Sequence, residues 1–145
     1  MYSNSSLSSP FARPQGHSAA YRQVGVETGV AQASPHHLVQ MLFDGLLESI
    51  AQARGAMSQG AIDAKGRALG RAVRIVEEGL KASLDLRGGG ALAQDLADLY
   101  AYITLRLTQA NLRNDVHALD ECASLVLPLR EAWVSIAAQA DSSPA

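Results

Sequence analysis

Few residues of this chain could do chemistry. The candidates for nucleophile or metal ligand are one cysteine, Cys122, and four histidines, His17, His36, His37 and His117. His36 and His37 are adjacent, so on a helix they point to different faces, whereas a helical metal pair needs residues one turn apart. Their expected place is the solvent-exposed first turn of a helix. A histidine phosphotransfer bundle needs an exposed histidine in mid-helix. His36, His37 and His117 all fall at helix starts and His17 lies in the N-terminal stretch, which counts against that signalling reading. No Glu-x-x-His occurs, as a di-iron carboxylate bundle would require, and no Cys-x-x-Cys-His for attached haem. Cys122 lies on an apolar stripe and is read as a small buried hydrophobe rather than a nucleophile.

Three other features could serve binding. Lys65, Arg67, Arg71 and Arg74 form a basic strip, read as a solvated helix face in preference to an anionic docking patch. Gly45 stands in mid-helix, where glycine costs about 1 kcal/mol against alanine. Such a glycine marks the close approach of another backbone. That neighbour is either a helix of the same bundle or an extended segment lying beside Leu38 and Leu42. Tyr100 and Tyr102 flank an apolar stripe on opposite sides, as tyrosines with rim hydroxyls do.

The elements that must position these residues are four helices. The first opens at Ser34-Pro35, where serine caps and proline occupies the first turn. Val39, Phe43, Leu46, Ile50, Ala53 and Met57 form its seam, widened by Leu38 and Leu42 on one side and Leu47 on the other, more than one seam needs. Ser58-Gln59-Gly60 ends it. The second helix is predicted over 62–86, with Ile62, Leu69, Val73, Val76, Leu80 and Leu84 inward, before Arg87-Gly88-Gly89-Gly90 breaks it. The third covers about 91–112, with Leu92, Leu96, Leu99, Ile103, Leu107 and Ala110 on one face. Asn114 or Asp115 caps the fourth, whose seam is Leu119, Cys122, Val126, Leu129, Trp133 and Ile136. Pro128 inside it should kink it or remove a hydrogen bond. Short connections imply an all-α, antiparallel up-down-up-down four-helix bundle over 34–140. Phe43, Ile50, Val73, Ile103, Leu107, Val126 and Trp133 are expected in its core. Ahead of it, 1–18 reads as a mobile Ser-rich tail. Residues 19–33, with Tyr21, Val24, Val26 and Val30 among glycines, read as a non-helical segment that packs on the bundle. Residues 141–145 should fray.

At 145 residues, 48% apolar and 18% charged, the chain suffices for one globular domain with a sizeable core. Its net charge of −2 argues against a dedicated nucleic-acid binder. A single cysteine gives no internal disulfide, no apolar run reaches membrane-spanning length, and the N-terminus lacks the apolar core of a secretory signal. A cytoplasmic protein is expected. A helical bundle without a catalytic set reads as a binder.

The residues also carry a resemblance. Ala20-Tyr21, Thr28, Ala33-Ser34-Pro35, Leu38-Val39, the run Met41-Leu42-Phe43-Asp44-Gly45, and the stretch from Leu84-Asp85 to Gly89-Gly90 follow in order. After them come Leu99-Tyr100-x-Tyr102, Arg106-Leu107, Ala110-Asn111, Asn114-Asp115 and Leu129-Arg130-x-Ala132-Trp133. Over about residues 19–137 this pattern resembles the FliS family of flagellar secretion chaperones. The chain departs from it at His36-His37, where an acidic residue often follows the Ser-Pro, at Pro128, and in its longer tail. The resemblance implies a bundle that binds the disordered C-terminal segment of flagellin, blocks premature polymerisation and presents the cargo to the flagellar type III export gate. It implies no enzyme activity, no cofactor, no metal and no membrane insertion, and leaves room for an accessory co-chaperone or regulator. Together with the wide apolar arc of the first helix, it implicates Tyr21, Leu38, Met41, Leu42, Gly45, Tyr100, Tyr102 and Asn111 in flagellin binding. Tyr21 would anchor residues 19–33 in the cargo groove when flagellin is absent. The alternative is a generic helical adaptor that sequesters another cytosolic partner.

Overall fold

The computed structural model describes residues 34–142, with side chains as far as Ile136. Tyr21 and the expectations for 1–33 and for the chain beyond Ser142 lie outside the described residues. Four long helices make up the described part: α1 (Pro35–Ser58), α2 (Ile62–Arg74) running on into a π-helical segment (Ile75–Lys81), α3 (Gly90–Arg113) and α4 (Val116–Ser142).

The end signals act as their chemistry requires. Ser34 Oγ accepts from the His37 amide at 3.2 Å, and Pro35 begins α1 without needing a partner for a missing N–H. At the α3–α4 corner the two candidates divide the work. Asn114 takes the left-handed conformation that closes α3, with φ 55°, while Asp115 Oδ1 accepts from the amides of His117 at 3.0 Å and Ala118 at 3.4 Å to cap α4.

Cross-helix contacts set the arrangement. Arg54 meets Asp120 at 2.8 Å, Arg130 meets Asp44 at 2.7 Å, and Trp133 reaches His36, so numbers rise along α4 as they fall along α1. Likewise α2 meets α3 through Lys65 with Asn111 and through Glu77 with Thr104. The core between the helices contains Phe43, Ile50, Ile103, Leu107 and Val126, as their spacing predicts.

Several expectations are corrected. Helix α2 does not stay α-helical to Leu86. It passes into a π-helix and ends at Lys81, a change of winding that leaves no mark in apolar spacing. Ile62 is 73% exposed, because it sits in the first turn of α2 beyond the end of the core. Val73 and Trp133 pack against the core but are only partly buried. Tyr100 is in the core rather than at the rim. Pro128 lies within α4, which continues through it on an exposed turn. The carbonyl it leaves without an N–H, that of Ser124, belongs to an exposed residue and can turn to water.

Candidate functional site: an apolar groove at one end of the bundle

The start of α1, the end of the π-helical segment, the start of α3 and the second half of α4 converge around an apolar groove of about 620 Å³. Pro35, Val39 and Phe43 line it from α1, Leu80 from the end of the second helix and Leu84 from the turn after it. Leu92, Leu96 and Tyr100 come from α3, and Leu129, Trp133 and Ile136 from α4. Leu92 and Ile136 were expected in the core by their spacing, yet they are 69% and 50% exposed. The difference has a physical reason. The α2–α3 connection, Ala82–Gly89, puts only Leu84 against the core and leaves Leu86 and Arg87 outside, so at this end the core stripes run out onto a groove wall. Gly89 is obligatory in that turn: a Cβ there would lie 2.6 Å from both Ala93 Cβ and the Asp85 carbonyl oxygen.

His36 departs from its expected place in solvent. Its ring stacks on Trp133 with centroids 4.1 Å apart and planes 17° from parallel, while Trp133 Nε1–H donates to the His36 carbonyl at 2.7 Å. The adjacent His37 is exposed. The pair ties the N-terminus of α1 to α4 and forms one aromatic wall of the groove.

Of the residues implicated from the sequence, Tyr100 lines this groove. Burial pushes its phenol up to about 12. Leu38 is partly buried against the core. Met41, Leu42 and Gly45 are buried, so the outer edge expected to stand clear of the main seam is not exposed. Arg71 Nη1 donates to the Gly45 carbonyl at 3.1 Å and to Ser49 Oγ at 2.6 Å, which places Gly45 against α2 and favours close packing within the bundle. Tyr102 is exposed on the α3–α4 face, where its hydroxyl donates to Glu121 Oε2 at 2.7 Å. Asn111 stands fifteen residues beyond Leu96 on α3, about 22 Å along the axis, and its carbonyl accepts from Lys65 Nζ at 3.1 Å. The structure therefore does not gather these residues at one place. The sequence reading missed His36, Leu92, Trp133 and Ile136 as groove residues. The signal available was a core stripe that runs on to a glycine-rich break.

The basic strip also divides. Arg67 and Arg74 are exposed, but Lys65 is buried, with Nζ also donating to Asn114 Oδ1 at 2.8 Å, and Arg71 is turned inward onto α1. Cys122 is fully buried, and burial, with the nearby Glu121 charge, raises its thiol to about 11, so it is no nucleophile. Among the described residues no three His, Cys, Asp or Glu side chains gather as a metal-binding set, and no helix is long and apolar enough to cross a membrane.

A family model described as flagellar protein FliS matches residues 17–140. The chain belongs to the FliS family. The flagellar secretion chaperone FliS of Salmonella typhimurium is 48% identical over 121 residues, covering 83% of this chain and 90% of that relative. FliSB of Pseudomonas aeruginosa is 45% identical over 116 residues, 80% of this chain and 91% of the relative. FliS of Bacillus subtilis is 32% identical over 114 residues, 79% and 80% of the two chains. The FliS family is one of flagellar export chaperones and not of enzymes. Of the residues that carry the resemblance, Pro35, Leu84, Asp85, Tyr100 and Trp133 line the groove.

Proposed function

We propose that the protein is a cytoplasmic export chaperone that binds the disordered C-terminal segment of flagellin, prevents its premature polymerisation and delivers it to the flagellar type III export apparatus. The observation that carries this reading is the groove. In a chain of this family, leucine and isoleucine of core spacing stand exposed around an apolar trough open between helices. Such a trough accepts the apolar face of a short helix through spaced anchors. A disordered cargo must offset its ordering entropy with wide contact, so the segment would extend beyond the groove over further surface of the bundle. Tyr102 and Asn111, both exposed, are candidates for that wider footprint.

Calorimetry with the isolated C-terminal flagellin peptide should show micromolar or tighter binding, and none for the surface-exposed middle of flagellin. Leu92→Asp and Ile136→Asp place a carboxylate on the groove wall at positions already half or more exposed. Each should weaken binding at least about tenfold, the equivalent of about 1.4 kcal/mol, while leaving the denaturation midpoint nearly unchanged. Native protein that gives neither heat nor complex with the peptide would refute the proposal.

A further inference from the structure

Five side chains with polar atoms line the groove: His36, Ser83, Asp85, Tyr100 and Trp133. Three are bonded to this chain's own backbone. Ser83 Oγ donates to the Leu80 carbonyl at 2.8 Å, Trp133 Nε1–H donates to His36, and Asp85 Oδ1 accepts from the amides of Arg87 and Gly88. The other two are not. His36 Nε2 is buried without a hydrogen bond, and no other buried side-chain nitrogen or oxygen among the described residues shares that condition. The Tyr100 hydroxyl also has no hydrogen-bond partner among the described residues, but it is not closed off from the groove as His36 Nε2 is. An unpartnered buried polar atom costs about 1–3 kcal/mol, so the one at His36, in an otherwise hydrocarbon groove, calls for a reason.

We propose that His36 on the α1 wall and Tyr100 on the α3 wall are specificity-determining hydrogen-bonding points that read serine, threonine, asparagine or glutamine side chains on the apolar face of the cargo. The inference rests on the flagellin-binding reading and narrows it. A groove lined by hydrocarbon alone would take any amphipathic helix in any register. Polar points that must be satisfied reject a cargo without matching groups, because desolvated donors and acceptors are then left unpaired. Hydroxyl and carboxamide groups can both donate and accept, so they suit a phenol and either tautomer of an imidazole. Nε2 is closed off in the structure, and engaging it requires the imidazole to turn about its Cβ–Cγ bond. A half-turn returns the ring to the same plane, with Nε2 where Cε1 had been, and so restores the stack on Trp133.

Two conservative variants test this. Tyr100→Phe removes only the hydroxyl, and His36→Phe keeps an aromatic ring on Trp133 while removing both nitrogens. Each is titrated with the C-terminal flagellin peptide and with a control peptide whose serine, threonine, asparagine and glutamine residues are replaced by alanine. Native protein should bind the flagellin peptide more tightly than the control. Each variant should lose about three- to tenfold affinity for the flagellin peptide and little for the control. The side-chain ¹⁵N resonance of His36 Nε2 should move on binding the first peptide and not the second. Native and variant proteins that bind the flagellin peptide equally, with an unmoved resonance, would overturn the role of these two residues alone. Native protein that binds no flagellin peptide would overturn the parent reading with it.

Discussion

Lys65 and Trp133 show how the surroundings of a side chain decide its work. Lys65 is 8% exposed, has no carboxylate partner, and spends its ammonium on the Asn111 carbonyl and the Asn114 side chain at the end of α3. A cation there also meets the negative end of a helix dipole. Lys65→Met keeps the apolar stem and removes both bonds, and should cost about 1–3 kcal/mol in chemical denaturation. Trp133 is half wall and half core. Its loss removes the stack on His36, a hydrogen bond and part of the groove. Trp133→Ala should cost about 2–3 kcal/mol, below the range of about 3–5 kcal/mol for a fully buried tryptophan, and should weaken peptide binding as well. A stability loss under about 1 kcal/mol would show that the aromatic latch does not hold α1 to α4.

Within the elements, glycines sort by what surrounds them. Gly66 and Gly70 lie inside α2 with nothing near a would-be Cβ, so Gly66→Ala and Gly70→Ala should each stabilise the protein by about 0.5–1 kcal/mol. Gly89 is the opposite case, since backbone and Ala93 block its Cβ. Gly89→Ala should destabilise by about 1–3 kcal/mol and distort the groove where α3 begins. Equal thermal midpoints for the Gly66 and Gly89 variants would contradict this picture. Gly45 is buried against α2, so Gly45→Leu is expected to damage the fold at least as much as it weakens binding. The π-helical turn at Ile75–Lys81 is a further element that spacing could not reveal. It directs Leu80 towards the groove just before the chain turns, and π-turns of this kind concentrate at functional sites.

For the whole molecule, pH should act from two sides. Cys122 and Tyr100 are buried and neutral when protonated, and folding raises them from 9.0 to about 11 and from 10.0 to about 12. The unfolded chain therefore loses these protons first. The stability linked to them is complete below pH 9 and is lost as pH rises towards 11 and 12. The urea midpoint should fall steadily above pH 9, and Cys122→Ala should flatten the first part of that fall. On the acid side, hydrogen bonds from Tyr102 and Arg106 hold the Glu121 carboxyl below its ordinary range, and Arg54 does the same for Asp120. Their contribution is present above pH 4.5 and fades as pH drops, but Asp120 is exposed and Glu121 partly so, and the effect should be small and salt-sensitive. A midpoint that stays level from pH 8 to 10.5 would rule out the alkaline linkage.

The sequence by itself determined the helices and most of the core. Ser34-Pro35, Ser58-Gln59-Gly60, the triple glycine and Asn114-Asp115 are local signals, each acting through its own backbone or the next turn, so they can be read without knowing the fold. Periodicity likewise identified Phe43, Ile50, Ile103, Leu107 and Val126, because a stripe at helical spacing must be buried against something. It could not say where that burial stops. Leu92 and Ile136 carry the same signature as Ile103 and Leu107, and only the packing of the helix ends leaves them exposed on a groove wall. Nor could spacing show that His36, adjacent to a solvated His37, would stack on a tryptophan ninety-seven residues away, or that Lys65 and Arg71 would leave a basic strip to bond other helices. Those outcomes depend on the rotation and registry of one helix against another. Many side chains from distant parts of the chain fix that registry together, and no one segment encodes it.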